Sequence, residues 1–190
     1  MNTLRITTFF GVLFVLLPGQ VFANFSDVPK HHAYLDAIEY AQQEGIVRGY
    51  PDGTFHPDAS VNRVEFIKIL IASTFTSDVV ASCSAQHSEF KKFPDTNSTA
   101  WYAPFLCVAV HESIVGGYPD GTMQPTNEIT FVEAAKIIAR VLEPGRPFSE
   151  EGVWYESYVA YLDEKSAIPS SITGLTHSMT RSEEIGRAHV

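Results

Sequence analysis

Arg63 and Arg181 are the residues whose positions most demand a chemical explanation. Each lies in the first turn of a predicted helix, where a cation faces the positive end of the helix dipole and costs roughly a few tenths of a kcal/mol. An anion should offset this. It can be a carboxylate of the chain itself, with Asp27 and Asp95 as candidates, giving a surface ion pair. It can equally be a ligand carboxylate or phosphate, which free helix N–H donors and a planar guanidinium receive together. Composition leaves both open. The residues around them have a structural explanation. Thr130 with Glu133 and Thr180 with Glu183 have the spacing of capping boxes, and Asn62 with Glu65 is a near variant. In such a box the cap side chain accepts from a backbone N–H three residues on, and the glutamate reaches back.

Trp101 opens another predicted helix, where an aromatic either packs or stacks on a sugar face. Tyr50 and Tyr118, beside Gly49 and Gly117, carry the same ambiguity, since glycine permits the close backbone approach that a tight turn or a ligand requires. Other chemistries lack their signatures. Asp52-Gly53 and Asp120-Gly121 are without the alternating acids of a calcium loop, and the histidines, including His31-His32, lack zinc-site spacing. There is no Gly-x-Ser-x-Gly, His-Glu-x-x-His or phosphate loop. No metal, cofactor or catalytic activity is expected.

The elements that hold these residues are set by an internal repeat. Gly49-Tyr50-Pro51-Asp52-Gly53-Thr54 recurs unchanged as Gly117 to Thr122, and the same offset pairs Phe25 with Phe93, Asp27 with Asp95, Tyr34 with Tyr102 and Ile46 with Ile114. It also pairs Glu65 with Glu133 and Lys68 with Lys136. Each unit reads as helix, loop, helix. Tyr34, Ala37, Ile38 and Ala41 recur at three and four residues, giving a one-faced helix that Gly45 stops. Pro51-Asp52-Gly53 reverses the chain. The second helix, from near Asn62, is apolar around most of its girth through Val64, Phe66, Ile67, Ile69, Leu70 and Ile71, so it belongs at the centre of the domain. A weaker third unit follows, in which Trp154-Tyr155 echoes Trp101-Tyr102 and Thr180 to Glu183 echoes Thr130 to Glu133, but no Pro-Asp-Gly turn appears.

Phe25-Ser26-Asp27-Val28, the Gly-Tyr-Pro-Asp-Gly-Thr loops and the Thr-Arg-x-Glu helix start resemble the S-layer homology repeat over nearly all of residues 25 to 183. The resemblance implies a mainly all-α fold: three helix-loop-helix units in a pseudo-threefold arrangement around a central helical bundle, with long turns and glycan sites in the grooves between units. It implies as partner a secondary cell-wall polysaccharide, acidic or pyruvylated, or a peptidoglycan-linked glycan, with other S-layer subunits as further partners. In the family the matching arginine contacts the acidic sugar, so Arg63 and Arg181 become glycan-binding candidates, joined by Asp27, Gly49, Trp101 and Gly117 as groove residues. Phe131 takes the arginine position in the second unit, and that groove is expected to bind differently or not at all. The function implied is non-catalytic anchoring to the cell envelope. The alternative is the targeting half of a secreted enzyme whose catalytic domain lies elsewhere.

The N-terminus fits export. Arg5 precedes an apolar run from Ile6 to Leu17, Pro18-Gly19 breaks it, and Val21-Phe22-Ala23 suits a cleavage site. The run is well below the roughly 20 residues that span a bilayer. Residues 1–23 thus read as a signal peptide, placing the product at the cell surface, cell wall or S-layer with no transmembrane segment after cleavage. Their removal takes away one cation, Arg5, and moves the formal charge from -9 to -10. Nucleic acid is excluded as a partner for want of a basic patch.

The expected organisation is repeat 1 over 24–73, a Ser-rich linker over 74–92, repeat 2 over 93–143, and an incomplete repeat 3 over 144–183. Cys83 and Cys107 are the only cysteines, and export permits a bridge tying the linker to the second unit. Cys107 matches Glu39 on the outer side of the first helix, so the core does not need it.

The last stretch, 184–190, puts Gly186 and Arg187 where the central helix calls for Ile or Leu. Glu184 to Val190 resembles the translation of a sequencing-library adapter, GAG ATC GGA AGA GCA CAC GTC, whose next codon is a stop. We expect these residues to be non-native, His189 included. Independent reads of the genomic locus are expected to diverge after Glu183, and an in-frame stop after Val190 would refute that expectation.

Overall fold

The computed structural model describes residues 25–149 and 151–188. The expected leader with its cleavage site, and His189 and Val190, lie outside the described residues. The regular secondary structure of the described residues is almost wholly helical, with long turns between: α1 (Leu35–Gln43), α2 (Arg63–Thr74), α3 (Ser77–Gln86), a 3-10 turn (Glu89–Lys92), α4 (Ala103–His111), α5 (Phe131–Leu142), α6 (Glu156–Glu164) and α7 (Arg181–Ala188). Among the described residues no single helix is long and apolar enough to cross a membrane.

The centre of the fold is a ring of backbone hydrogen bonds. Val61 N–H donates to the Met179 carbonyl (3.0 Å), Met179 to Ile129 (3.0 Å) and Ile129 back to Val61 (3.2 Å). All three side chains are fully buried. Each ring residue sits just before a central helix, α2, α5 or α7, and each helix start is held by the loop of a neighbouring unit. Arg63 and Val64 N–H donate to Asn127 and Pro125, Phe131 and Val132 to His177 and Leu175, and Arg181 and Ser182 to Ala59 and Pro57. The first-turn donors that a helix normally leaves unpaired are therefore satisfied in a cyclic exchange. The outer helices follow the same rotation: α4 packs on α2, α6 on α5 and α1 on α7. The pseudo-threefold arrangement is thus present, and the third unit takes a full part in it.

The central helices show why the sequence places them there. In α2, Val64, Phe66, Ile67, Ile69, Leu70 and Ile71 are all buried, on every side of the helix. The one-faced α1 buries only Ala37, Ile38 and Ala41. The expected capping at α2 is reciprocal, with Glu65 N–H donating to Asn62 Oδ1 (3.0 Å) and Asn62 N–H to Glu65 Oε2 (3.0 Å). Glu133 and Glu183 accept in the same way from Thr130 N–H and Thr180 N–H, both at 2.9 Å.

Two expectations need correction. The Ser-rich stretch read as a linker contains α3 and the 3-10 turn, and both pack against α4. Val80, Cys83 and Phe90 supply the buried face that its polar composition hid. Cys107, read as peripheral from its match to Glu39, is 1% exposed because α3 covers that side of α4. Cys83 and Cys107 are joined as a disulfide, their Cα atoms 6.0 Å apart.

In α7, Ile185 joins Ile38, Val47, Phe55 and Ile69 in a buried cluster. Glu184 stands at the register of Phe66 and Ala134, is 3% exposed, and both its carboxylate oxygens lack a hydrogen-bond partner. Burial pushes its carboxyl well above the ordinary range, against the pull of Arg181 and Lys68. Because the folded form prefers the proton, Glu184 favours folding below the unfolded carboxyl pKa of about 4.3 and loses that contribution as pH rises. Glu184→Leu should stabilise the chain at pH 7 by on the order of 1–4 kcal/mol, and by less at pH 4. Urea unfolding at the two pH values checks this, and equal stability at pH 7 would contradict it.

Candidate functional site

Two clefts between units repeat one another. The first, of about 410 Å³, is lined by Val47, Glu65, Lys68, Ile69, Trp101 and Arg181, with Arg48 at its side. The second, of about 620 Å³, presents the matching Val115, Glu133, Lys136, Ile137, Trp154 and Arg63, with Arg140 alongside. Each is composite. The loop and central helix come from one unit, the arginine from the start of the preceding central helix, and the tryptophan from the approach to the following outer helix. Among the described residues that line them, each cleft sets three cations against one carboxylate. On a chain of formal charge -9, these are local basic sites with an aromatic edge.

In the second cleft, Arg63 is 7% exposed and its guanidinium lies 4.8 Å over the Tyr118 ring. Its Nε is buried without a hydrogen-bond partner. Tyr118 Oη–H donates to Glu133 Oε1. Burial and that hydrogen bond push the phenol up to about 12. Burial alone would raise Glu133, but hydrogen bonds from Tyr118 and Thr130, with the Arg63 charge, hold its carboxyl below the usual range. The glutamate is thereby ionised and committed to the protein. Arg140 donates to the Ser113 carbonyl (3.2 Å) and to Tyr158 Oη (3.1 Å). Gly117, at φ 79°, turns the loop that forms the cleft wall. A Cβ there would lie 2.4 Å from the Phe93 ring.

In the first cleft, Arg181 Nε donates to the Phe55 carbonyl (2.9 Å), with its guanidinium 4.7 Å over the Phe55 ring. Lys68 Nζ donates to the Ile46 carbonyl at 2.6 Å. Desolvation lowers its pKa although Glu184 opposes this. Trp101 is 57% exposed, leaning edge-on against Tyr102, so most of the indole faces outward. Tyr50 meets His56 edge-on at 4.7 Å.

The other sequence candidates sit elsewhere. Asp27 accepts from Phe55 N–H and His56 N–H, both at 2.7 Å, and ties the turn to the start of its unit. These bonds hold its carboxyl below the ordinary range although burial opposes them. Asp95 likewise accepts from Met123 N–H (2.9 Å) and Gln124 N–H (2.7 Å) in the second unit. Asp27 is not among the residues lining either cleft, and among the described residues neither aspartate pairs with an arginine. A Cβ on Gly49 would lie 2.2 Å from the Phe25 ring and 2.6 Å from the Thr54 carbonyl, so this glycine answers to packing. The first-turn N–H groups expected to receive a ligand are taken by the neighbouring loops, leaving the guanidinium as the donor. At the third interface, Phe131, Gly186 and Ala33 stand where the clefts have arginine, lysine and tryptophan, and the Tyr34 ring lies against Gly186. Lys68, Lys136 and Trp154 were signalled in the sequence by the repeat offset and the Trp-Tyr echo, but only the fold shows that they meet the arginines.

The S-layer homology domain model matches residues 24–67 and 92–135. The chain carries S-layer homology domains. Over 163 residues it is 31% identical to the middle cell wall protein of Brevibacillus brevis, covering 85% of this chain and 15% of that protein. It is 32% identical over 130 residues to cell surface glycoprotein 1 of Acetivibrio thermocellus, covering 67% of this chain and 6% of that protein. With the cellulosome-anchoring protein of the same organism it shares 27% identity over 134 residues, 65% of this chain and 29% of that protein. The chain thus spans a small part of each of these relatives. The central helix that begins in each matched stretch contributes Glu and Lys to a cleft, with Glu65 and Glu133 inside the match and Lys68 and Lys136 just beyond it.

The Tyr118 phenol gives an optical check on the second cleft. A group held at about 12 against an unfolded value near 10 favours folding below pH 10 and loses that contribution between the two values. Spectrophotometric titration at high pH should show one phenol ionising last. That step should vanish in Tyr118→Phe, which should also cost about 1–2 kcal/mol in urea unfolding through loss of a charge-assisted hydrogen bond.

Proposed function

We propose that this chain is a non-catalytic module that holds its bearer to the bacterial cell envelope by binding an acidic wall polysaccharide, pyruvylated or peptidoglycan-linked, in the two equivalent clefts. The observation that carries this reading is the repeated assembly, from three units each time, of a helix-start arginine, a lysine and an exposed tryptophan. A guanidinium and an ammonium over a cleft suit a sugar carboxylate, and an indole face suits the C–H face of a pyranose ring. The names of the relatives, a cell wall protein, a surface glycoprotein and an anchoring protein, agree with surface retention. Two clefts on one rigid body would hold a polymer by avidity even if each is weak.

The third helix pair is, in this reading, a third S-layer homology repeat that keeps the scaffold and has lost the ligand groups. Phe131 there serves packing. The small share of the relatives that this chain spans leaves room for a cargo or catalytic domain outside these residues, which would make the chain the targeting half of a larger surface protein.

Co-sedimentation with purified, protein-free cell-wall sacculi tests the proposal. Binding should be retained on native sacculi and lost after extraction of accessory polysaccharide. Arg63→Ala and Arg181→Ala should each weaken it roughly tenfold or more, as expected for a lost charged hydrogen bond, and the double variant further. Arg63→Ala should also cost about 1 kcal/mol of stability through its contact with Tyr118. Undiminished sedimentation of a folded double variant would overturn the assignment of the clefts.

A further inference from the structure

The segment between the first two units carries a feature that glycan binding does not use. It forms α3 and the 3-10 turn, and it is bonded to α4 through Cys83 and Cys107. His87 lies four residues beyond Cys83, and His111 four residues beyond Cys107. One helical turn past the crosslink, the two imidazoles therefore face each other, their centroids 3.7 Å apart and their planes inclined by 29°. Glu89 reaches the same point, with its Oε1 4.0 Å from His87 Nδ1. The carboxylate is oriented from behind, because Glu89 Oε2 accepts from Ser88 N–H at 2.9 Å. One donor atom from each of the three residues lies within 4.8 Å of the others.

We propose that His87, Glu89 and His111 bind a divalent transition-metal ion of the zinc type. Two imidazole nitrogens and a carboxylate oxygen form a donor set suited to such an ion, and are a poor match for calcium or magnesium, which take oxygen ligands. Bond lengths of about 2.0–2.2 Å require the donors to approach to roughly 3–3.5 Å of one another. The donors must close on one another and the stacked imidazoles must turn so that both ring planes contain the ion, a rearrangement that falls on side chains at the surface, Glu89 and His111 being exposed and His87 half-buried. The backbone is already placed by the disulfide one turn away, so little ordering remains to oppose binding. With three protein ligands, a fourth position stays open toward solvent. The bound ion ties the end of α3 and the 3-10 turn to the end of α4. The sequence spacing hid this site, since residues 87, 89 and 111 match no zinc motif and only the crosslinked packing of α3 on α4 brings them together.

The test is titration of the full, tag-free, oxidised chain with zinc chloride, followed by calorimetry and by the thermal midpoint. One equivalent should bind, and the midpoint should rise with zinc concentration by mass action. His87→Ala and His111→Ala should each weaken binding at least tenfold, Glu89→Gln severalfold, and His177→Ala, in the separate pair with Glu183, not at all. The midpoint of each variant in metal-free buffer separates loss of ligand from loss of fold. Absence of zinc uptake by the parent chain would overturn the proposal, as would unchanged binding in the folded His87→Ala and His111→Ala variants.

Discussion

Everything in this fold depends on one constraint: the first-turn N–H groups of three buried helices must find acceptors where water cannot reach them. An unpaired buried donor costs about 1–3 kcal/mol, comparable to the whole effect of many core substitutions. The chain meets the constraint by exchange. Each central helix is capped on its own side by a glutamate three residues in, and across the interface by the carbonyls of the next unit's loop. The ring through Val61, Ile129 and Met179 closes the cycle. A single helix-loop-helix unit would leave these groups open, so the units are interdependent in a way that ordinary tandem domains are not.

That exchange also makes the clefts. Because the start of α2 is seated in the second unit's loop, Arg63 emerges beside Tyr118 and Lys136, which belong to that unit. Because the start of α7 is seated in the first unit's loop, Arg181 emerges beside Lys68. The hydrogen bonds that stabilise the scaffold thus place the basic groups, and the same bonds use up the backbone donors that would otherwise have received an anion. What the clefts then present is side chain: guanidinium, ammonium and indole.

The pseudo-symmetry is broken where chemistry differs. Phe131, Gly186 and Ala33 replace the arginine, lysine and tryptophan at the third interface while the ring and the loop exchange persist there. Glu184 is the outlier on the structural side, a buried carboxyl group without a hydrogen-bond partner at a position filled by Phe66 and Ala134 in the other central helices. The insertion of α3 breaks the symmetry differently. It converts the outer side of α4 into core, which is why Cys107 is buried while Glu39 is only partly covered.

The sequence by itself determined the repeat, the helix positions, the capping glutamates and the central place of α2, because each follows from local spacing: a fixed offset, a three-residue reach, apolar residues on every side. It also singled out Arg63 and Arg181, whose first-turn positions oppose the helix dipole. Only the tertiary structure decided which candidates share a cleft. Asp27 and Gly49 recur as regularly as any cleft residue, yet one holds a turn and the other makes room for Phe25. Trp154 and Lys136 belong to different units, and His87 and His111 to different helices, so their proximity depends on how units dock. Periodicity reports which face of an element is apolar, but carries no record of what lies opposite it; that is fixed when buried donors choose acceptors in another unit.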